Sequence, residues 1–336
     1  MKKVFAVTAA LALLCLGNIA QAITIDTVAV GNAGNAADTT VMYDGTTGYG
    51  SVAYNYNIGK YEVTAGQYTA FLNAVAGTDT YALYNTDMSN TGYGSGITQS
   101  GVSGGYTYSV VSDFVNRPVN YVSYWDSLRF ANWLGNGQLT GAQNASTTER
   151  GAYTLDGYTS YDGRTIGRNA GATWAVTSED EWYKAAYYKG GNTTAGYWLY
   201  PTQNDAAPGR DLADVSGNNA NYSGHPYPIQ SPYYTTLVGE FQNSDSPYGT
   251  FDQGGNVYEW NEAIVYQDAN YAYCGLRGGT FGFYDDSLQS AARYGSYPDI
   301  EGGNVGFRVS EVPEPSSIIT LLGGLVGLWG MRRRRG

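Results

Sequence analysis

Tyr248-Gly249-Thr250-Phe251-Asp252-Gln253-Gly254-Gly255-Asn256-Val257-Tyr258-Glu259-Trp260 opens the most informative stretch of this chain. Leu276-Arg277-Gly278-Gly279-Thr280 continues it, and Asn304-Val305-Gly306-Phe307-Arg308-Val309 closes it. Asp252 and Glu259 bracket a Gly-Gly turn. Such a turn lets side-chain and backbone oxygens converge, as a hard cation such as calcium requires, with about six to eight oxygens at ~2.3–2.6 Å. The same stretch holds a single thiol, Cys274, where a redox or copper-thiolate site needs at least two.

Both ends of the chain read as processing signals and are set aside before the fold is considered. Lys2-Lys3, the apolar run Val4 to Leu16 and the small-x-small site Ala20-Gln21-Ala22 form a secretory leader, residues 1–22, cleaved after Ala22. The far end, residues 312–336, reads Val312-Pro313-Glu314-Pro315, then an apolar run over 318–331, then Arg332 to Arg335. As a helix that run would span ~21 Å, short of a ~30 Å hydrocarbon core. A Pro-Glu-Pro turn, a short transmembrane segment and an arginine cluster resemble a PEP-CTERM sorting tail. The resemblance implies recognition by an exosortase-type sorting enzyme, with the arginines in the cytoplasm. A plain C-terminal membrane anchor is the alternative. On either reading the bulk of the protein is exported to the cell envelope or extracellular matrix, held for a time or stably by its tail.

Between the tails, residues 23–311 suffice for one large domain. Cys15 lies in the leader, so Cys274 stands alone and no intramolecular disulfide is available. Without the two tails, 12 basic residues face 28 acidic ones, a charge near −16. That balance disfavours nucleic acid and anionic surfaces and favours cations. With 33 Tyr and 46 Gly, the composition predicts turn-rich structure with amphipathic aromatic surfaces.

Tyr54 to Tyr61 reads as a strand. Thr64-Ala65-Gly66-Gln67 is a capping-box pattern that starts a helix through Tyr68, Phe71, Leu72 and Val75. Residues 77–113 show no sustained period and read as a long surface insertion. Arg117 to Val122 is an extended lead-in to a second helix from Ser123, with Leu128, Phe130, Ala131, Trp133 and Leu134 as its buried stripe. Tyr153-Thr154-Leu155 reads as a strand. Ser178-Glu179-Asp180-Glu181 is another capping box, opening a third helix through Trp182, Ala185, Ala186 and Tyr187. Short strands and turns follow, ending in a strand from Val305 to Val309. Three short helices among many short strands and long loops predict an irregular α+β domain.

Taken together these segments resemble the sulfatase-modifying factor, or formylglycine-generating enzyme, family. Ile58-Gly59-Lys60-Tyr61-Glu62-Val63-Thr64 is similar to its "hKYEVT" block, Pro118 to Asp126 to "PVxxVSWxDA", and Trp174 to Ala186 to "RLPTExEWEYAA". Asp252 to Trp260 is similar to "DMxGNVWEW". Arg277 to Thr280, Ala291-Ala292-Arg293 and Asn304 to Val309 are similar to "RGGSW", "SAxR" and "NxGFRV". The blocks keep the family's order over roughly residues 52–310. The resemblance implies a C-type-lectin-related fold.

It also implies a calcium site in which Asp252 and Glu259 offer side chains and Gly255 and Val257 offer backbone carbonyls. Ala220-Asn221-Tyr222 is similar to the triplet that opens a second family calcium site, with Asn221 and Tyr222 as its candidates. The partner aspartate expected near Gln230 is missing, for no carboxylate lies between Ser223 and Gly239. The family's oxidases hold copper on two cysteines shortly after the Arg-Gly-Gly block. Between Thr280 and Arg293 this chain has none, which argues against copper. A related branch uses non-haem iron on several histidines, and this chain has only His225. The Glu179/Glu181 pair lies in a capping box, and Gly92 to Gly96 lacks the lysine of a phosphate loop. No catalytic residue is assigned. The expectation is an exported, calcium-stabilised binding or structural module for a glycan or an envelope protein. The alternative is a formylglycine-generating-type oxidase or a relative with altered chemistry.

Overall fold

The computed structural model describes residues 22–161, 166–224 and 233–312. The expected leader before Ala22, His225, and the expected sorting tail from Pro313 with its short transmembrane segment lie outside the described residues. Within them no helix is long and apolar enough to cross a membrane.

The chain opens with β1 (Thr27–Val30), β2 (Tyr56–Gly59) and α1 (Ala65–Val75), then a hairpin of β3 (Ile97–Ser100) and β4 (Thr107–Val110). α2 (Tyr124–Gly135), β5 (Trp174–Val176) and α3 (Glu179–Tyr187) follow. The last part holds β6 (Tyr258–Gln267), β7 (Ala272–Arg277), β8 (Tyr294–Ser296), β9 (Val305–Phe307) and β10 (Val309–Glu311).

Each α-helix starts where its cap residue places it. The side-chain oxygen of Thr64, Ser123 or Ser178 accepts the N–H three residues on, and that later side chain accepts the cap's own N–H in return. Two of the amide donors that every helix N-terminus leaves orphaned are thereby satisfied. The apolar faces then meet. Phe71 of α1 lies 5.3 Å from Phe130 and 5.2 Å from Trp133 of α2, centroid to centroid. Trp260 of β6 enters the same core and donates its indole N–H to Val122 O at 3.0 Å.

Two four-stranded sheets frame this core, in the orders β1-β2-β10-β5 and β8-β7-β6-β9. The first is antiparallel throughout, whereas β9 runs parallel to β6. The strand expected from Val305 to Val309 is therefore divided. β9 joins one sheet, β10 joins the other, and Arg308 is the single residue between them.

Residues 77–113 carry more structure than a surface insertion. Leu83, Met88, Ile97 and Tyr108 are buried in the main core, and β3 pairs with β4 around a Gly-rich turn. Their buried residues fall at irregular spacing, so no period betrays them. Tyr153-Thr154-Leu155 forms only an isolated bridge, Arg150 to Thr154. Its backbone is instead bound by a side chain: Tyr153 N–H donates to Asn132 Oδ1 at 2.8 Å, and Asn132 Nδ2 donates to Tyr153 O at 3.1 Å.

Replacing the cap hydroxyl in Ser178→Ala should destabilise the domain by about 1 kcal/mol. Thermal denaturation should show Tm lower by about 2–4 °C, and an unchanged Tm would contradict the capping role.

Candidate functional site

Glu259 is the second residue of β6 and lies beside Gly306 of β9. Arg308 follows β9 immediately, so the parallel pairing delivers its guanidinium to this carboxylate. The contact is bidentate: Nε to Oε2 and Nη2 to Oε1, both at 2.6 Å, with both side chains fully buried. Arg308 Nη1 also donates to Gly59 O at the end of β2, and Nη2 to Phe251 O, each at 2.9 Å. Trp182 of α3 adds its indole N–H to Glu259 Oε2 at 2.7 Å. A buried carboxylate is tolerable on these terms, because charge and lone pairs are both answered.

The turn before β6 depends on its glycines. Asp252, Gly255 and Asn256 all have positive φ, at 59°, 89° and 59°. A Cβ on Gly255 would lie 2.2 Å from Asn221 O, so no other residue fits there. This close approach is a parallel bridge between Asn221 and Gly255, and Asn256 N–H donates to Asn221 O at 2.8 Å. The two motifs expected to form separate calcium sites are thus adjacent. Asn221 Nδ2 donates to Asn256 Oδ1 at 3.1 Å and to Tyr234 O at 2.9 Å. Tyr222 leaves this network, its hydroxyl donating to Pro208 O at 2.6 Å.

A residue that sequence reasoning missed joins them. Glu62 is buried, and its Oε1 accepts from Asn256 Nδ2 at 3.2 Å. Its signal was a glutamate set between the β2 strand and the α1 cap, in a block that reads as fold rather than site. Glu62 Oε2 and Asn221 Oδ1 are both buried without a hydrogen-bond partner. Asp252 keeps some solvent contact and accepts Gly239 N–H at 2.6 Å.

Three carboxylates, Glu62, Asp252 and Glu259, therefore share one guanidinium. Burial raises the Asp252 carboxyl to about 6, a rise that the Gly239 hydrogen bond and Arg308 oppose and the Glu259 charge reinforces. Burial, and next the Asp252 charge, push Glu62 well above the usual carboxylate range. Asp252 and the two unpartnered oxygens suit a hard cation. Glu259 does not as it stands, since Arg308 occupies both its oxygens. Among the described residues no three His, Cys, Asp or Glu side chains converge tightly enough to hold a metal ion by themselves. Any ion here would rely on carbonyl oxygens and water as well.

The segment where an oxidase of this kind would carry its thiols is held by two arginines. Arg277 bonds Ser290 O and Ala292 O at 2.9 Å each and pairs with Glu179, which also binds Arg293. Between them a 3-10 turn, Asp285–Leu288, follows Phe283 and Tyr284, which are 47% and 68% exposed. Cys274 sits in β7 with its thiol buried in the main core, and burial pushes its pKa up. A second titratable group unforeseen from sequence lies at the start of α2. Burial, with the Asp126 charge second, raises Glu301 to about 8, while burial takes Asp126 itself to about 6.

A family profile described as "Sulfatase-modifying factor enzyme 1-like domain" matches residues 27–312. A search of curated proteins finds no match. Among solved structures, "Crystal Structure of CarF" is 21% identical, with 86% of this chain and 99% of that chain covered and a TM-score of 0.55. PvdO from Pseudomonas aeruginosa is 19% identical, covering 85% and 94%, with a TM-score of 0.49. Treponema denticola variable protein 1 is 18% identical, covering 85% and 95%, also at 0.49. At such identities the likeness is one of fold, and the expected irregular, C-type-lectin-related α+β architecture is the one found.

Arg308→Met should leave Glu259 buried and uncompensated, costing about 3–5 kcal/mol in urea denaturation. Adding Glu259→Gln to that variant should recover part of the loss. A single-variant loss below about 1 kcal/mol would contradict the pairing.

Proposed function

We propose a function for a chain that belongs to the sulfatase-modifying factor enzyme 1-like family: an exported, non-catalytic, calcium-stabilised module that binds a glycan or protein at the cell envelope or in an exopolysaccharide matrix. One observation carries this reading. Where the family's oxidases hold copper, the loop from Phe281 to Ser290 presents aromatic surface and no thiol. Cys274, the cysteine nearest that block, is enclosed in the core on β7. Copper(I) needs soft thiolate ligands in reach of substrate, and this chain has no pair to offer.

Export is supported by the leader and by the arginine-ended tail, whose partner would be an exosortase-type enzyme. Ile23, the first residue of the mature chain on this reading, is fastened at both backbone groups. Its N–H donates to Gln138 Oε1 at 2.7 Å and its carbonyl accepts from Gln138 Nε2 at 2.9 Å. Processing there would leave the new terminus docked.

Calcium is supported by charge. With Glu62, Asp252 and Glu259 ionised, one guanidinium leaves a surplus of two negative charges in a buried region, and protons or a divalent cation must neutralise it. Asp252 and Glu62, with the carbonyls of Gly255 and Val257, would hold the ion, and Asn221 lies alongside. The ion would supply charge compensation.

The sign of the pH effect follows from the raised carboxyls. Protonated in the fold and ionised in the unfolded chain, Glu62 and Asp252 support the fold fully below the ordinary carboxylate range. Their support is lost as pH rises through the raised values. In chelator, stability should therefore fall by about 1–3 kcal/mol as pH rises from about 4 through the Asp252 value of about 6. Calcium should restore it at the upper pH and do little at the lower, and Glu62→Gln should flatten the dependence. Equal Tm with calcium and with EDTA at the upper pH would contradict the site. For the competing oxidase reading, the mature domain with copper and oxygen should form no aldehyde on a sulfatase-type cysteine peptide. Aldehyde in the mass spectrum would replace the module reading with an enzyme.

A further inference from the structure

β6 and β7 form a hairpin that outruns both of its neighbours. β9 pairs only with Tyr258 to Trp260, and β8 only with Cys274 to Leu276. Beyond those pairings the hairpin tip carries tyrosines in register. Tyr266 of β6 lies opposite Tyr273 of β7, and one step past the Cys274–Ser296 pair Tyr273 meets Tyr297. Cross-strand partners project to the same face of a sheet, so the three rings form a row across three strands. Their centroids are 5.6 Å and 4.7 Å apart. Tyr271, in the turn, stacks on Tyr273 at 5.6 Å and 25°. Tyr297 stands upright to both, at 88° to Tyr273 and 67° to Tyr271. Tyr266 is tilted by 42° to Tyr273 and by 32° to Tyr271, so the rings form a shallow, uneven aromatic surface with Tyr297 standing against it.

Cys274 and Leu276 fill the core, while Tyr273 lies on the other face of β7. Tyr266 is 47% exposed, and Tyr271, Tyr273 and Tyr297 are half-buried, in part against one another. Holding the hairpin tip needs one cross-strand aromatic pair; the further rings add apolar faces and hydroxyl tips at the surface. That combination complements a ligand with an apolar face and a rim of hydroxyls, which describes a pyranose ring. Charge narrows the class. No Lys or Arg occurs from residue 263 to 276, Asp268 is exposed at the turn, and the whole chain carries a net charge of −11. A polyanionic glycan would meet repulsion and, along residues 263–276, find no guanidinium to hold its carboxylates or sulfates.

We propose that Tyr266, Tyr271, Tyr273 and Tyr297 form a stacking platform for a neutral polysaccharide chain. This rests on the binding-module reading and names its ligand class and its site. Calorimetric titration of the mature protein with cellohexaose, laminarihexaose, mannohexaose and polygalacturonate tests it. At least one neutral hexasaccharide should bind and polygalacturonate should not. Tyr271→Ala should weaken that binding by about tenfold or more with circular dichroism unchanged, and the exposed Tyr266→Ala decides the matter if Tyr271→Ala fails to fold. Binding that survives both substitutions and is lost in Tyr284→Ala would overturn the platform yet leave the module reading standing. Absence of binding to every neutral probe would overturn the platform. So would a concentration-dependent dimer in sedimentation that Tyr266→Ala dissolves, since the row would then join two copies of the chain.

Discussion

Arg308 and Glu259 form a bidentate ion pair with both side chains fully buried. Arg308 is the one residue between β9 and β10, and those strands belong to different sheets. Its guanidinium reaches Glu259 on β6, Gly59 at the end of β2 and Phe251 in the preceding turn. Trp182 brings α3 to the same carboxylate. The ion pair therefore ties both sheets, a helix and a loop, and with a longer contact from Arg308 Nη1 to Lys60 O at 3.4 Å all five guanidinium donors are used. Buried pairs of this kind are costly to break and contribute little beyond a well-packed apolar equivalent. Their value lies in fixing geometry, and here they fix where one strand ends and the next begins.

That geometry has an electrostatic consequence. Arg308 balances Glu259, and Glu62 and Asp252 are left beside the pair without a cation of their own. Glycine makes the crowding possible, since Gly255 admits the Asn221 backbone where any Cβ would collide with it. The fold thus disfavours negative charge on the two remaining carboxyls of a buried turn, and burial raises both Glu62 and Asp252. On the proposed reading, protons and a divalent cation would act through the same groups.

Much of the framework is legible in the sequence because it rests on local chemistry. Thr64, Ser123 and Ser178 announce three helices, and the Gly-Gly turn at 254–255 announces the approach of another segment. What escapes is long-range. Leu83, Met88 and Ile97 enter the core from a segment with no period, because irregular chain, a 3-10 turn over Thr86–Ser89 and the start of β3 deliver them in succession. The break at Arg308 is invisible in a run of strand-forming residues, and only the competing pairing of two sheets reveals it. Glu62 reads as part of a strand-to-helix link, since its partners are 190 residues or more away in sequence at Asn256. The tyrosine row likewise needs the register of three strands, while composition records only that tyrosine is abundant.

On the proposed reading, protons and a divalent cation compete for the carboxylates beside Arg308. Calcium titration of the mature domain by calorimetry, in two buffers of different ionisation enthalpy, measures this directly. At about pH 5, below the Asp252 value of about 6, binding should release about one proton or more, and the release should decrease as pH rises to about 8. Calcium binding with no proton release at the lower pH, or no calcium binding at either, would contradict the account.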